Sequence, residues 1–271
     1  MSAPYARVLS SALAAAASPV EKEKTLARAI ELLDDAGRMT VTTRRGPLVF
    51  TTRRSVGAYK MAKAWDDEPE TLAWVDAHVK PGDVVWDIGA AIGVMAMYMA
   101  LDPKVRVVAF EPKAASYALL VDHLSMNAMG ERVAAYCLAL SNERKLTSFR
   151  VDTSQAGGAS NGIDDTPDQF GRGRTALIQS ALTVSIDEFQ TLYNAPAPDH
   201  LKLDVDGIEG VILRGARDTL PRVKSVIVEV EGDNLANVEE RIEAPLFAAG
   251  FIEDMKVRGA GSNRNRLYVR R

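Results

Sequence analysis

From about residue 69 onward the chain alternates short apolar runs with longer segments whose apolar residues recur at helical spacing. The short runs lie at 84–88, 105–110, 132–140, 201–205 and 223–230. Their Val, Ile and Leu content predicts strands buried on both faces. The intervening segments at 70–79, 94–101, 113–129, 208–220 and 235–249 predict helices. Strands alternating with helices imply right-handed βαβ units and a mostly parallel sheet covered on both faces. Residues 251–257 and 267–270 predict two closing strands around a flexible 259–265, and residues 145–151 a further short strand.

Three stretches depart from this rhythm. Residues 39–54 read MTVTTRRGPLVFTTRR, and the central Gly46-Pro47 predicts a β-hairpin. Its four arginines are expected to form a solvated face, with an anion site as the alternative. The Ala-rich run at 8–17 follows one basic residue and faintly resembles a secretory signal. It continues into Glu21-Lys22-Glu23-Lys24, so a helix through Leu33, ended near Gly37, is the preferred expectation, and with it a cytoplasmic protein. Residues 152–181 are rich in glycine and aspartate with little apolar periodicity. A segment of that length within a compact domain is expected to be functional, here a substrate lid. The expected division is an extension over 1–68 and one ligand-binding domain over 69–271.

Composition narrows the class. The chain has 271 residues, 47% of them hydrophobic and 25% charged, which excludes wholesale disorder and a membrane-embedded fold. No apolar stretch approaches the ~20 residues of a membrane span. The single cysteine rules out an internal disulfide and a cysteine-based zinc site. A net charge of −3 gives no electrostatic footprint for nucleic acid and leaves a homo-oligomer open.

Candidate chemistry sits at the strand ends, where open α/β sheets bind ligands. The first strand runs into Asp87-Ile88-Gly89-Ala90-Ala91-Ile92-Gly93. Gly89 lets backbone approach a ligand, and Gly93 lets the next helix start close to the sheet. Glu111 ends the second strand, where a carboxylate can accept the ribose hydroxyls of a nucleoside. A dinucleotide site would carry G-x-G-x-x-G, which is absent. Asp87 would repel a pyrophosphate but suit a sulfonium with an α-amino group, so S-adenosylmethionine is favoured over NAD.

These residues resemble the FkbM-type family of class I S-adenosylmethionine-dependent methyltransferases. The resemblance covers about 68–256 and rests on Glu68-Pro69-Glu70, KPGDVVWDIGAAIG at 80–93, VVAFEP at 107–112, ALSNE at 139–143, GGAS at 157–160 and above all LKLDVDGIEGVILRGA at 201–216. It implies a Rossmann-like seven-stranded sheet with a C-terminal antiparallel hairpin, and methyl transfer to an oxygen of a sugar, glycolipid or secondary metabolite. By position it implies that Asp87, Gly89, Ala90 and Gly93 line the methionine end of the cofactor, and that Glu111 holds the ribose. Leu140 and Ser141 are then expected near adenine, and Asp204 at the sulfonium or the acceptor. The family usually has Asn where this chain has Ala91, and Glu where it has Asp206.

An alcohol acceptor must lose a proton as it is methylated. His78, His123 and His200 fall on predicted helices or at the wrong end of a strand. Asp204 and Asp206, two positions apart at a strand end with Glu209 beyond, are the candidate bases. Alternatively they bind Mg²⁺, which would acidify the hydroxyl. Lys202 is expected to neutralise part of this acidic cluster. Cys137 reads as core, and Glu229 or Glu231 as a carboxylate facing the pocket or closing a turn. A non-catalytic cofactor-binding or scaffold protein is the competing reading, kept open by Ala91 and Asp206.

Overall fold

In the computed structural model the described residues are 11, 14–15, 18–51, 56–151, 162–163, 177–258, 261 and 264–270. A helix over Pro19–Ala36 precedes an antiparallel hairpin of β1 (Arg38–Thr43) and β2 (Gly46–Thr51). The helices Val56–Lys63 and Pro69–His78 lead into the main sheet. Pro69 occupies the first turn of the second helix, where its missing N–H costs nothing.

The main sheet has seven strands. They are β3 (Val84–Ile88), β4 (Arg106–Phe110), β5 (Val133–Tyr136), β10 (His200–Leu203), β11 (Ser225–Glu229), β12 (Phe251–Glu253) and β13 (Asn265–Arg270). Their order is β12-β13-β11-β10-β3-β4-β5. The pairs from β11 through β5 are parallel, and β13 runs antiparallel to both of its neighbours. The order reverses between β3 and β10, which leaves a crevice at their carboxyl ends.

The central strands are buried on both faces, and alternate side chains divide the core in two. Val85, Val107, Ala109, Ile227 and Leu267 face one side, with Trp74, Met97 and the hairpin residues Leu48 and Phe50. Trp86, Ile88, Phe110, Leu201, Leu203 and Val228 face the other, with Phe189 and Leu213. Asp87 pairs across the sheet with Ala109 and Lys202, and Lys202 with Ile227. Asp87 and Lys202 therefore share the first face.

Several elements differ from the sequence expectation. The run at 132–140 divides into β5 and β6 (Ala139–Ser141), and β6 belongs to another sheet. That sheet, ordered β6-β9-β7-β8, also holds β7 (Lys145–Val151), β8 (Gly162–Ile163) and β9 (Leu177–Ser185). The tail of the glycine-rich stretch is thus strand. Apart from β8, the rest of it, where the lid was expected, lies outside the described residues. The expected helix at 208–220 spans only Glu209–Arg214. Gly215 ends it, and a Cβ there would sit 2.4 Å from the Ser141 carbonyl oxygen. The helix expected at 235–249 breaks into Gly232–Ala236, a π-helical turn over Glu239–Glu243 and Ala244–Ala248. Pro245 opens the last piece, as its missing N–H and fixed ring require. The strand expected at 251–257 stops at Glu253, and Met255–Arg258 is helical.

A buried polar network holds the amino-terminal edge of the sheet. His200 Nε2 lies 3.0 Å from Asp83 Oδ2, and its Nδ1 lies 2.7 Å from Ser225 Oγ. Trp74 Nε1 donates to the same Oγ at 2.8 Å, and Lys224 Nζ reaches Asp83 at 2.6 Å. His200 therefore lies at the opposite end of β10 from the crevice. We expect Ser225→Ala to lower stability by about 1–3 kcal/mol by orphaning buried donors, read as a shift of the urea midpoint with an unchanged m-value.

Candidate active site

A cleft of about 240 Å³ opens at the carboxyl ends of β3 and β10. Asp87, Gly89, Ala90 and Ala91 form one side, Lys202 and Asp204 the floor, and Glu68 and Arg264 the far side. The turn after β3 is set by backbone contacts. Gly89 and Ala90 both donate to the Phe110 carbonyl at 3.0 Å, and Gly93 starts the helix Val94–Ala100 with φ +90°. A Cβ on Gly89 would lie 1.8 Å from the Asp204 carbonyl oxygen, so only glycine lets the two strand ends approach this closely.

Asp87 is fully buried, and neither of its carboxylate oxygens has a close hydrogen-bond partner; the Ala96 N–H and the Lys202 ammonium act on it weakly. Lys202 Nζ stands 3.6 Å from Asp87 Oδ1 and donates to Asp204 Oδ2 at 2.9 Å. Burial pushes the Asp87 carboxyl up, and Lys202 only partly offsets this. Burial opposes charge on Lys202 as well, but Asp204, Asp87 and Glu68 outweigh it and hold the ammonium protonated. Burial also raises Asp204, yet Lys202 and a hydrogen bond from the Glu229 carboxyl bring it below the usual carboxylate range. Glu229 moves the opposite way, raised by burial and by the Asp204 charge. One carboxylate and one carboxylic acid therefore share this corner.

Glu111 is used differently from a bare ribose clamp. Its Oε2 accepts from the Ala91 N–H at 2.8 Å and its Oε1 from the Lys113 N–H at 2.7 Å, so it pins the glycine turn to the end of β4. Burial, partly countered by those two bonds, pushes its carboxyl up to about 8. Ala91 has φ 50°, a left-handed conformation that asparagine adopts more readily than alanine. The departure from Asn at this position thus has a backbone aspect as well as a side-chain one.

The structure separates the two candidate bases. Asp204 lines the cleft; Asp206 is not among the lining residues. Asp206 occupies the tight turn after β10 with φ 60°, and its charge acts on Glu111. Glu209 is buried and clamps that turn, accepting from the N–H groups of Val205 at 3.0 Å and Gly207 at 3.3 Å and from Asn234 Nδ2. Burial pushes its carboxyl up to about 7. Leu140 is 2% exposed and packs in the core with Trp86 and Phe110, and Ser141 is buried beside Gly215. Neither residue reaches the cleft.

No histidine lines the cleft among the described residues. His123 is buried, with Nδ1 2.8 Å from the Ile92 carbonyl oxygen. Cys137 is exposed, not core, because β5 ends at Tyr136 before the chain changes sheet. Of the hairpin arginines, Arg45 is committed to Asp76 at 2.7 Å and to the Tyr98 ring. Among the described residues no three His, Cys, Asp or Glu side chains converge as a metal site, and no helix is long and apolar enough to cross a membrane.

Sequence inspection missed Glu68 and Arg264 as site residues. Glu68 precedes the helix Pro69–His78 and accepts from Thr71 Oγ1 at 2.9 Å. Arg264 Nη1 lies 3.2 Å from Glu229 Oε1 and 3.0 Å from Glu231 Oε1. The motif Glu68-Pro69 signals a helix start but not what its carboxylate faces. Arg264 lies in the stretch expected to be flexible.

The chain is similar to the hexuronic acid methyltransferase AglP of Haloferax volcanii, 28% identical over 163 residues, 60% of this chain and 62% of that protein. It is also similar to the 31-O-demethyl-FK506 methyltransferase FkbM of Streptomyces tacrolimicus, 31% identical over 56% of this chain and 66% of that protein. The chain thus spans somewhat under two thirds of the length of these curated relatives. Among solved structures it is similar to the magnesium protoporphyrin IX methyltransferase of Synechocystis, with a TM-score of 0.45, 11% identity and coverage of 80% of this chain and 85% of that one. The methyltransferase FkbM domain pattern matches residues 87–254, more than half of the chain and the stretch from the end of β3 through β12, and the chain belongs to that family.

Proposed function

We propose that the protein transfers the methyl group of S-adenosylmethionine to a hydroxyl oxygen of a sugar, glycolipid or secondary metabolite. The observation that carries this reading is Asp87, a fully buried carboxylate whose partners are weak, the Lys202 ammonium at 3.6 Å and the Ala96 N–H, beside a glycine turn that opens on the cleft. A buried unsatisfied carboxylate is costly, and a cationic ligand with N–H donors offsets that cost. The family membership and the names of the two curated relatives, for a hexuronic acid and for 31-O-demethyl-FK506, favour an oxygen acceptor.

Asp87 and the turn Gly89–Gly93 would hold the amino-acid end of the donor. Glu111 would receive the ribose, because each of its oxygens keeps a second acceptor site beyond its backbone bond. When bound, S-adenosylmethionine supplies an electrophilic methyl group. The chain's own contribution is alignment of the acceptor oxygen, worth several kcal/mol, and a place for its proton. Asp204 is that place, since Lys202 keeps it ionised. Asp206, beside Glu111 and outside the cleft wall, supports the ribose end. The Lys202 ammonium already fills the space between Asp87 and Asp204, and no third ligand converges there among the described residues. This donor set does not fit Mg²⁺, and no step is routed through it.

Titration calorimetry with S-adenosylmethionine tests the donor site directly. We expect wild-type binding, and an affinity lower by about 100-fold in Asp87→Asn, equivalent to about 2.7 kcal/mol and typical of a lost charge-assisted pair. The melting temperature should fall modestly, since Asn leaves the buried Lys202 ammonium with one partner fewer. Equal affinity in the two proteins would reject Asp87 as the anchor.

A further inference from the structure

The cleft has two halves of different origin. Asp87, Gly89, Lys202 and Asp204 fall inside residues 87–254, the span matched by the family pattern. Met61, Ala64, Asp67, Glu68 and Arg264 line the same cleft from outside that span. The two flanks meet in space. Asn265, next to Arg264, hydrogen-bonds Glu70 at 3.2 Å and reaches Glu68 at 3.5 Å, and Glu68 and Arg264 attract one another. The shared floor is therefore closed by a wall built from the segment before the helix Pro69–His78 and the start of β13.

We infer that this outer wall selects the methyl acceptor, and that it selects a hydroxyl-bearing molecule that is neutral or cationic rather than one carrying a carboxylate. The inference rests on the methyltransferase reading above and specifies its substrate. Among the described residues four acids, Asp67, Glu68, Asp87 and Asp204, line the cleft against two bases, Lys202 and Arg264. Both bases are already engaged by carboxyl groups, although the Arg264 side chain is half exposed. Lys202 is held by Asp87 and Asp204, and Arg264 lies between Glu229 and Glu231. An acidic acceptor would compete with these carboxyl groups for either base and would face Asp67 and Glu68. Like-charge juxtaposition of this kind rejects wrong ligands more strongly than matched contacts favour right ones. Hydroxyl and ammonium groups, by contrast, are donors, and carboxylates accept from them.

The test uses the full chain with S-adenosylmethionine and three matched sets of probes: methyl glycosides and polyols, their amino counterparts and their carboxylate counterparts. Release of S-adenosylhomocysteine reports turnover, and calorimetry reports donor binding separately. We expect kcat/KM for the neutral or amino probes to exceed that for the carboxylates by about tenfold or more. Asp67 is exposed, so Asp67→Lys should fold, and it should move that ratio toward the carboxylates by about tenfold. Glu68→Gln should raise the acceptor KM by about tenfold while the donor Kd changes less than about twofold. A preference for carboxylate probes, an unchanged ratio in Asp67→Lys, or donor binding without turnover of any neutral or amino probe would overturn the inference. Absence of donor binding overturns the methyltransferase reading and this inference with it.

Discussion

Replacing Asp204 with asparagine should lower kcat by about 10²–10⁴-fold, the range that removal of a general base commands. The side chain lies at the carboxyl end of β10, on the cleft floor, with Lys202 Nζ 2.9 Å from its Oδ2. That ammonium keeps Asp204 ionised despite burial, so it can take a proton at neutral pH. A carboxylate of low basicity is a poor base for a free alcohol. It suffices once the oxygen–methyl bond is forming, because the hydroxyl proton then becomes strongly acidic. Asparagine keeps the shape and loses the proton acceptor. It also leaves Lys202 with Asp87 alone at 3.6 Å, so some loss of stability accompanies the change. Single-turnover rates at saturating donor, set beside calorimetric affinity and the urea midpoint, separate these effects. A fall in kcat with donor affinity within a few-fold identifies the base. An unchanged kcat assigns Asp204 to orientation only.

The strand ends were legible in the sequence, but the walls of the cleft were not. Strands β3, β4 and β10 are short apolar runs that stop at an acid or a glycine, and this pattern survives any tertiary context. Asp87, Gly89 and Asp204 could therefore be read as neighbours from the order of the strands alone. The split between β5 and β6 was hidden because Cys137-Leu138 interrupts neither hydrophobicity nor β-propensity. Leu140 packs in the core, a placement that a buried apolar residue beside a cofactor shares, so its burial does not distinguish the two roles. Glu68 and Arg264 lie almost 200 positions apart, and the packing of β13 beside β11 brings them to one cleft. No local pattern encodes such a meeting. Asp206 was placed with Asp204 because two positions on a strand share a face. The chain leaves the strand at Leu203, however, and Asp206 sits in a turn with φ 60°, so strand periodicity no longer fixes its direction.

Gly89→Ala should be the most damaging small substitution in the site, costing on the order of 4 kcal/mol or more of stability and with it donor binding. Two effects add. Gly89 has φ +86°, where an L side chain costs about 1–2 kcal/mol. The new Cβ would also lie 1.8 Å from the Asp204 carbonyl oxygen and 2.8 Å from its carbon. Both obstacles are backbone, so no rotamer change relieves them. The Asp204 N–H also donates to the Ile88 carbonyl at 3.0 Å, so the two strand ends cannot part without breaking a ladder bond. The strain would fall on the segment that carries Asp87 to one side of the cleft and Asp204 to the other. Gly82→Ala is the control. Gly82 has φ +100°, but nothing lies within 4 Å of its added Cβ, so only the conformational cost applies there. Urea midpoints of the two variants isolate the contribution of close approach. If Gly89→Ala costs no more than Gly82→Ala, the strand ends are free to move apart, and the rigid cradle assigned to the donor does not exist.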